Sequence, residues 1–222
     1  MKPLFCLAFA AGSLVAAPVN WVDWTSGTAG TNGSATGVLN IGLTTVNVAY
    51  TGEIAFIITG AGANYWSPDA PYLSPTVDNA PPASDIIALS QTGSKTLTFS
   101  QPVDNLFFAI VSLNGNGYSF NQDFEIVSGN GIGGFWGAGT LTKTNPSAGI
   151  YQLNGSGEPH GVIRFTGAVS SITWTSLTNE NWNGFTVGTF GLARDPGQVP
   201  EPGTWALVLA GLVPVAWRRF RR

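Results

Sequence analysis

The sequence predicts an all-β protein: a jelly-roll-like β-sandwich flanked by an N-terminal signal helix and a short C-terminal transmembrane helix. Three observations carry the central part. Apolar residues alternate at period two in several short runs, the pattern of half-buried strands. Asn-Gly recurs six times, at Asn32, Asn114, Asn116, Asn130, Asn154 and Asn183. Both residues accept positive φ, so the pair favours tight hairpins. Charged residues are 9 % of the chain, against roughly 25 % in ordinary soluble domains. With no helical apolar period sustained in the body, a coiled coil and a Glu/Lys-rich bundle are excluded.

In chain order, residues 1–17 read as a signal peptide: Lys2, an apolar run from Leu4 to Phe9, then small residues to Ala17. Cys6, the one cysteine, lies inside it, so the mature chain has no disulfide, thiolate metal site or cysteine nucleophile. Residues 18–196 form the extracytoplasmic sandwich domain. Val46, Val48 and Tyr50 alternate, as do Leu97 with Phe99, Phe124 with Ile126, Ile163 with Phe165, and Ile172 with Trp174. Ile54 to Ile58 and Leu106 to Val111 are continuous apolar runs, expected as fully buried central strands. Pro102, Lys95 and Lys143 are expected to protect strand edges. Residues 64–84 hold five prolines with Tyr65, Trp66 and Tyr72. This is an ordered excursion, either functional itself or a stiff connection whose aromatics cover the core edge.

Residues 197–222 are organised differently. Pro200-Glu201-Pro202 precedes an apolar run, Thr204 to Trp217, and then Arg218, Arg219, Phe220, Arg221 and Arg222. The 14-residue run spans roughly 21 Å as a helix, against a bilayer core of about 30 Å. Pro214 weakens it further. Arginines stay cytoplasmic, and Trp205 and Trp217 bracket the run as interfacial anchors do. The segment is a marginal stop-transfer element with the body outside.

These residues closely resemble the PEP-CTERM sorting signal, borne by proteins exported by Gram-negative bacteria that make extracellular polysaccharide. The resemblance implies recognition by exosortase, a membrane-embedded protease-transpeptidase. Pro200, Glu201 and Pro202 are then the sorting motif, Thr204 to Trp217 the membrane element, and the arginines its retention tail. It also implies an inner-membrane-tethered intermediate and a final place at the cell surface or in the matrix. The body is similar to uncharacterised extracytoplasmic β-sandwich domains that precede this signal, in Tyr65-Trp66, Pro71-Tyr72-Leu73, Asp78 to Ile86, His160-Gly161-Val162-Ile163 and Trp182 to Gly188. That similarity implies a shared fold and location without an established activity.

Chemistry is sparse. The body carries eleven acids against Lys95, Lys143, Arg164 and Arg194, so no basic face exists for nucleic acid. His160 is the only histidine, and no Gly-x-Ser-x-Gly elbow accompanies it. It is expected in the turn before Gly161, making a local hydrogen bond. No catalytic residue and no cofactor is assigned. A structural calcium held by Asp23 or Asp69 with backbone carbonyls is the one metal site left open. Trp174, in phase with Ile172, is expected in the core. Trp66, Trp136 and Trp182 sit beside Gly, Asn or Pro in turn-like surroundings. With Asn64, Glu180 and Asn181 they form a candidate glycan surface, since an indole stacks on the C–H face of a sugar while amides and carboxylates bind its edge. Packing of those indoles is the competing reading.

The leading expectation is therefore a non-enzymatic surface or matrix protein with a structural or adhesive role. The alternatives are a carbohydrate-binding module at the same location and a secreted hydrolase using a carboxylate pair.

Overall fold

The computed structural model describes residues 18–82 and 85–194, so the expected signal helix and the sorting segment lie outside the described residues. The strands in chain order are β1 (Asn20–Trp21), β2 (Asp23–Thr28), β3 (Gly30–Ile41), β4 (Thr44–Ile54), β5 (Phe56–Thr59), β6 (Asp85–Leu89), β7 (Gly93–Val111), β8 (Gly117–Phe120), β9 (Glu125–Ser128), β10 (Gly139–Ser147), β11 (Ile150–Gly157), β12 (Gly161–Ser176), β13 (Asn183–Thr189) and β14 (Gly191–Leu192). A single 3₁₀ turn, Ala70–Tyr72, is the one helical element among the described residues. None of their helices is long and apolar enough to cross a membrane.

The fold hangs on two long antiparallel partners, β7 and β12. Each bends midway and so serves two sheets. On β7 the bend falls at Pro102–Asn105, where Asn105 takes φ 53°. Opposite it, β12 shifts register between Phe165 and Ala168 and again between Val169 and Ser171. The Asn105 amide oxygen accepts the Gly167 N–H at 3.3 Å and ties the two bends together. Strands that change sheets by bulge and bend are how sandwich corners are made. The first halves of the pairing build one sheet, ordered β2-β3-β4-β7-β12-β8-β11-β10. The other halves build a second, β5-β6-β13-β7-β12-β9, with β1 beside β13 and β14 beside β7. The result is an all-β, sandwich-like architecture.

Between the sheets lies an aromatic core. Phe185 of the second sheet meets Tyr50 and Trp174 of the first at ring separations of 5.5 and 5.3 Å. Val46, Val48, Tyr50, Leu97, Ile163, Phe165, Ile172 and Trp174 are all buried here, on the faces their alternation assigned. The second sheet is also covered on its outer face. Leu106, Phe108 and Ile110 point into the main core, while Phe107, Ala109 and Val111 point into a second cluster with Trp21, Trp66, Tyr72 and Val77. That double burial is why the Leu106–Val111 run is continuous. The proline-rich excursion is thus a cover laid across the back of the sheet.

Four expectations need correction. β5 is an edge strand, with Ala55 exposed and Phe56 to Ile58 half-buried, because only β6 flanks it. Lys95 does not protect an edge: it is buried on central β7, and its ammonium donates to the Gln91 and Gly93 carbonyls at 2.6 and 3.0 Å. Pro102 marks the sheet-changing bend of that same central strand. Asn32-Gly33, Asn154-Gly155 and Asn183-Gly184 lie within strands, whereas Asn114-Gly115 and Asn130-Gly131 do turn the chain, with φ 62° and 76° at their glycines. At Gly155 the requirement is close approach, since a Cβ there would sit 1.8 Å from the Leu113 carbonyl oxygen.

Candidate functional site

Four connections converge at one corner: 112–116 after β7, 129–138 after β9, 158–160 after β11, and 177–182 after β12. Backbone hydrogen bonds stitch them together. Gly155 donates to Asn116, Leu113 to Pro159, Glu158 to Ala138 and Leu177 to Gly117, at 2.9, 3.3, 3.1 and 2.9 Å. Between them opens a cleft of about 390 Å³ lined by Ser112, Asn114, Trp136, Glu158, Glu180, Asn181 and Trp182. Its size is that of a small-ligand site.

One wall is aromatic. The Trp136 and Trp182 rings meet edge to face at 4.8 Å. Tyr65 stacks on Trp136 at 5.4 Å and 28°, and also touches Phe135 and Trp182. Phe56 supports Trp182 from the sheet at 4.8 Å. Trp136 stays 45 % exposed and Phe135 42 % exposed. Exposed rings held by other rings form a rigid apolar surface with little entropy left to lose on binding.

The rest of the lining is polar and equally well held. Glu158 accepts hydrogen bonds from the Ser112 hydroxyl and the Asn114 amide. The Glu180 Oε1 accepts from the Asn116 amide at 2.8 Å and from the Asn183 amide. Asn183 in turn accepts from the buried Tyr118 hydroxyl. The Asn116 amide oxygen takes the Gly117 and Thr178 N–H groups at 2.7 and 2.9 Å. Burial raises the Glu180 carboxyl above the usual glutamate range. The Asn116 and Asn183 amides and the Asn114 backbone oppose that rise, and Glu158 adds to it.

The structure brings Trp136, Trp182, Glu180 and Asn181 together, as the glycan-surface reading requires. It removes Trp66 from that surface: Trp66 is 1 % exposed, packs on Tyr72 at 5.2 Å, and donates its indole N–H to the Asp85 carbonyl. The packing reading holds for this residue because its side chain faces the sheet. Asn64 is likewise not on the cleft; its amide oxygen caps the Trp66 N–H at 3.0 Å in a local turn. Ser112, Asn114 and Glu158 line the cleft unpredicted. The polar loop Asn114-Gly115-Asn116-Gly117 and the turn Gly157-Glu158-Pro159 were the only signals for them.

His160 is buried, and its bond is not local. Its Nδ1 lies 3.3 Å from the Tyr72 hydroxyl, contributed by the excursion 88 residues away. Burial pulls the imidazole down to about 4, against the neighbouring Glu158, which favours the charged form. Asp23 is exposed and lies near Asp85, while Asp69 precedes the 3₁₀ turn. Among the described residues no group of three or more His, Cys, Asp or Glu side chains is arranged to hold a metal ion. No protein-family model, curated protein or solved structure matches this chain.

Proposed function

We propose that this is an exported surface or matrix protein whose sandwich adheres to carbohydrate through the corner cleft. The observation that carries the binding role is that two indoles, Trp136 and Trp182, and the polar side chains of Asn114, Glu158, Glu180 and Asn181 line one open cleft. Apolar rings beside fixed polar groups suit the C–H face and the polar edge of a pyranose. Export is supported by the sequence of residues 1–17 and 197–222, which lie outside the described residues. In this reading residues 1–17 form a cleaved signal helix, and Thr204 to Trp217 a short membrane helix that holds the chain at the inner membrane. Exosortase then acts at Pro200-Glu201-Pro202, and Arg218 to Arg222 retain the tail until processing. Jelly-roll connectivity belongs to the same proposal.

The test is a glycan array probed with the full chain in detergent, alongside a Trp136→Ala variant. Retention on polysaccharide that is lost in the variant supports the reading. Absence of any retained glycan leaves an architectural protein without a sugar site. One observation favours a second reading, glycoside hydrolysis: Glu158 and Glu180 share the cleft, and burial moves Glu180 upward, the direction that favours a general acid. Release of reducing ends from a bound polysaccharide, abolished by Glu180→Gln, would mark the protein as an enzyme.

A further inference from the structure

Among the described residues, no cation pairs with either cleft carboxylate. Elsewhere on the surface, Asp123 pairs with Lys143, and Glu125 pairs with Arg164 at 2.5 Å. In the cleft, hydroxyl and amide donors from Ser112, Asn114, Asn116 and Asn183 do that orienting work. Among the described residues no lysine or arginine lines it. Neutral donors fix a carboxylate in place while leaving its charge to act on whatever enters. The indoles Trp136 and Trp182 in the same lining have the same preference, because indole faces attract cations. Charge and π-face therefore converge on one small space.

We infer that the cleft selects amino-sugar polymers carrying free, protonated amines over N-acetylated, neutral or uronate-bearing chains. This rests on the carbohydrate-binding reading. A free amine on a pyranose places a positive charge beside the same C–H face that stacks on an indole. Acetylation removes the charge while keeping the ring. A uronate reverses the charge and is repelled by both glutamates. The proximity of Glu158 to Glu180 adds to the selectivity, since an ammonium between them relieves their mutual repulsion.

The experiment compares four soluble oligomers by calorimetry with the full chain in detergent: a glucosamine hexamer, its N-acetylated counterpart, a neutral glucose hexamer and an oligouronate. The glucosamine hexamer should bind at least tenfold more tightly than the N-acetylated one, and more weakly as salt is raised. Glu158→Gln and Glu180→Gln should each erase that preference. Thermal melts identify any variant that fails to fold, and Glu158→Gln decides alone if Glu180→Gln does. Trp136→Ala, which leaves the charge unchanged, should weaken the glucosamine and N-acetylated hexamers alike. Equal binding of those two hexamers, both lost in Trp136→Ala, would overturn the amine selectivity and leave the carbohydrate reading standing. No binding of any oligomer would overturn both. Glucosamine binding unaffected by Trp136→Ala would assign the attraction to the acidic body as a whole and overturn the site.

Discussion

Trp66 donates its indole N–H to the Asp85 carbonyl at 3.2 Å, while its neighbour Tyr65 stacks on the exposed Trp136. The turn at these two residues sends their side chains apart, so one fills the core and the other builds the cleft wall. Truncating them should separate these roles. Trp66→Ala should cost about 3–5 kcal/mol of stability in denaturant unfolding. Trp136→Ala should change stability by about 1 kcal/mol or less, because nearly half of the residue is already in water. A second residue-scale prediction concerns pH. His160 is held at about 4 in the fold, against an ordinary 6.5, by burial. The unfolded chain binds more protons in that window, so His160 lowers stability as pH falls from 6.5 towards 4. Asp85 is raised to about 6 by burial and by Asp23, with the Trp24 backbone opposing. Its contribution has the opposite sign, falling as pH rises from about 3.8 to 6. The two oppose each other in the native protein, and variants read them separately. Melting temperature of His160→Gln relative to the native chain should improve on going from pH 7 to pH 4. That of Asp85→Asn should improve in the reverse direction.

At the scale of elements, β7 and β12 make one hinge that creates both sheets. Where strands pass close at the cleft corner, glycine is required within them. Gly155 on β11 faces the Leu113 carbonyl so closely that any side chain must displace backbone. Gly155→Ala should destabilise by about 3 kcal/mol and also weaken ligand retention, since Leu113 lies between Ser112 and Asn114 of the cleft. Gly42→Asn, at a β3–β4 turn with φ 59° and open space around it, should be tolerated. Differential scanning of the two variants checks both statements. Asn154-Gly155 and Asn183-Gly184 read as turns in the sequence because Asn-Gly is a hairpin signature. In the fold these glycines answer to crowding between strands, which local sequence does not encode.

For the whole molecule, stability comes from two stacked aromatic and aliphatic clusters with no cysteine in the body. Unfolding should be insensitive to reductant, and a chelator should leave the melting temperature unchanged; a large fall would reveal a bound cation. If exosortase processes the chain, intact-mass analysis of surface material should find Arg218 to Arg222 absent.

Strand class and the main inward faces were legible from periodicity, because side-chain direction along a strand alternates whatever its partners are, and the buried strand at Leu106–Val111 was legible from its unbroken apolar run. Four of the seven lining residues of the candidate cleft were legible too: the indoles Trp136 and Trp182, the acid Glu180 and the amide Asn181. The rest depended on pairings between distant segments. Burial of Trp66 follows from the excursion folding back across β7, and the edge position of β5 from having β6 on one side alone. Glu158 became a site residue because four loops far apart in the chain close on one corner, and Lys95 became buried because its strand is central to both sheets. A period-two pattern specifies which side a residue faces; which surface covers that side is set by long-range strand pairing and sheet packing, and these exist only in the folded chain.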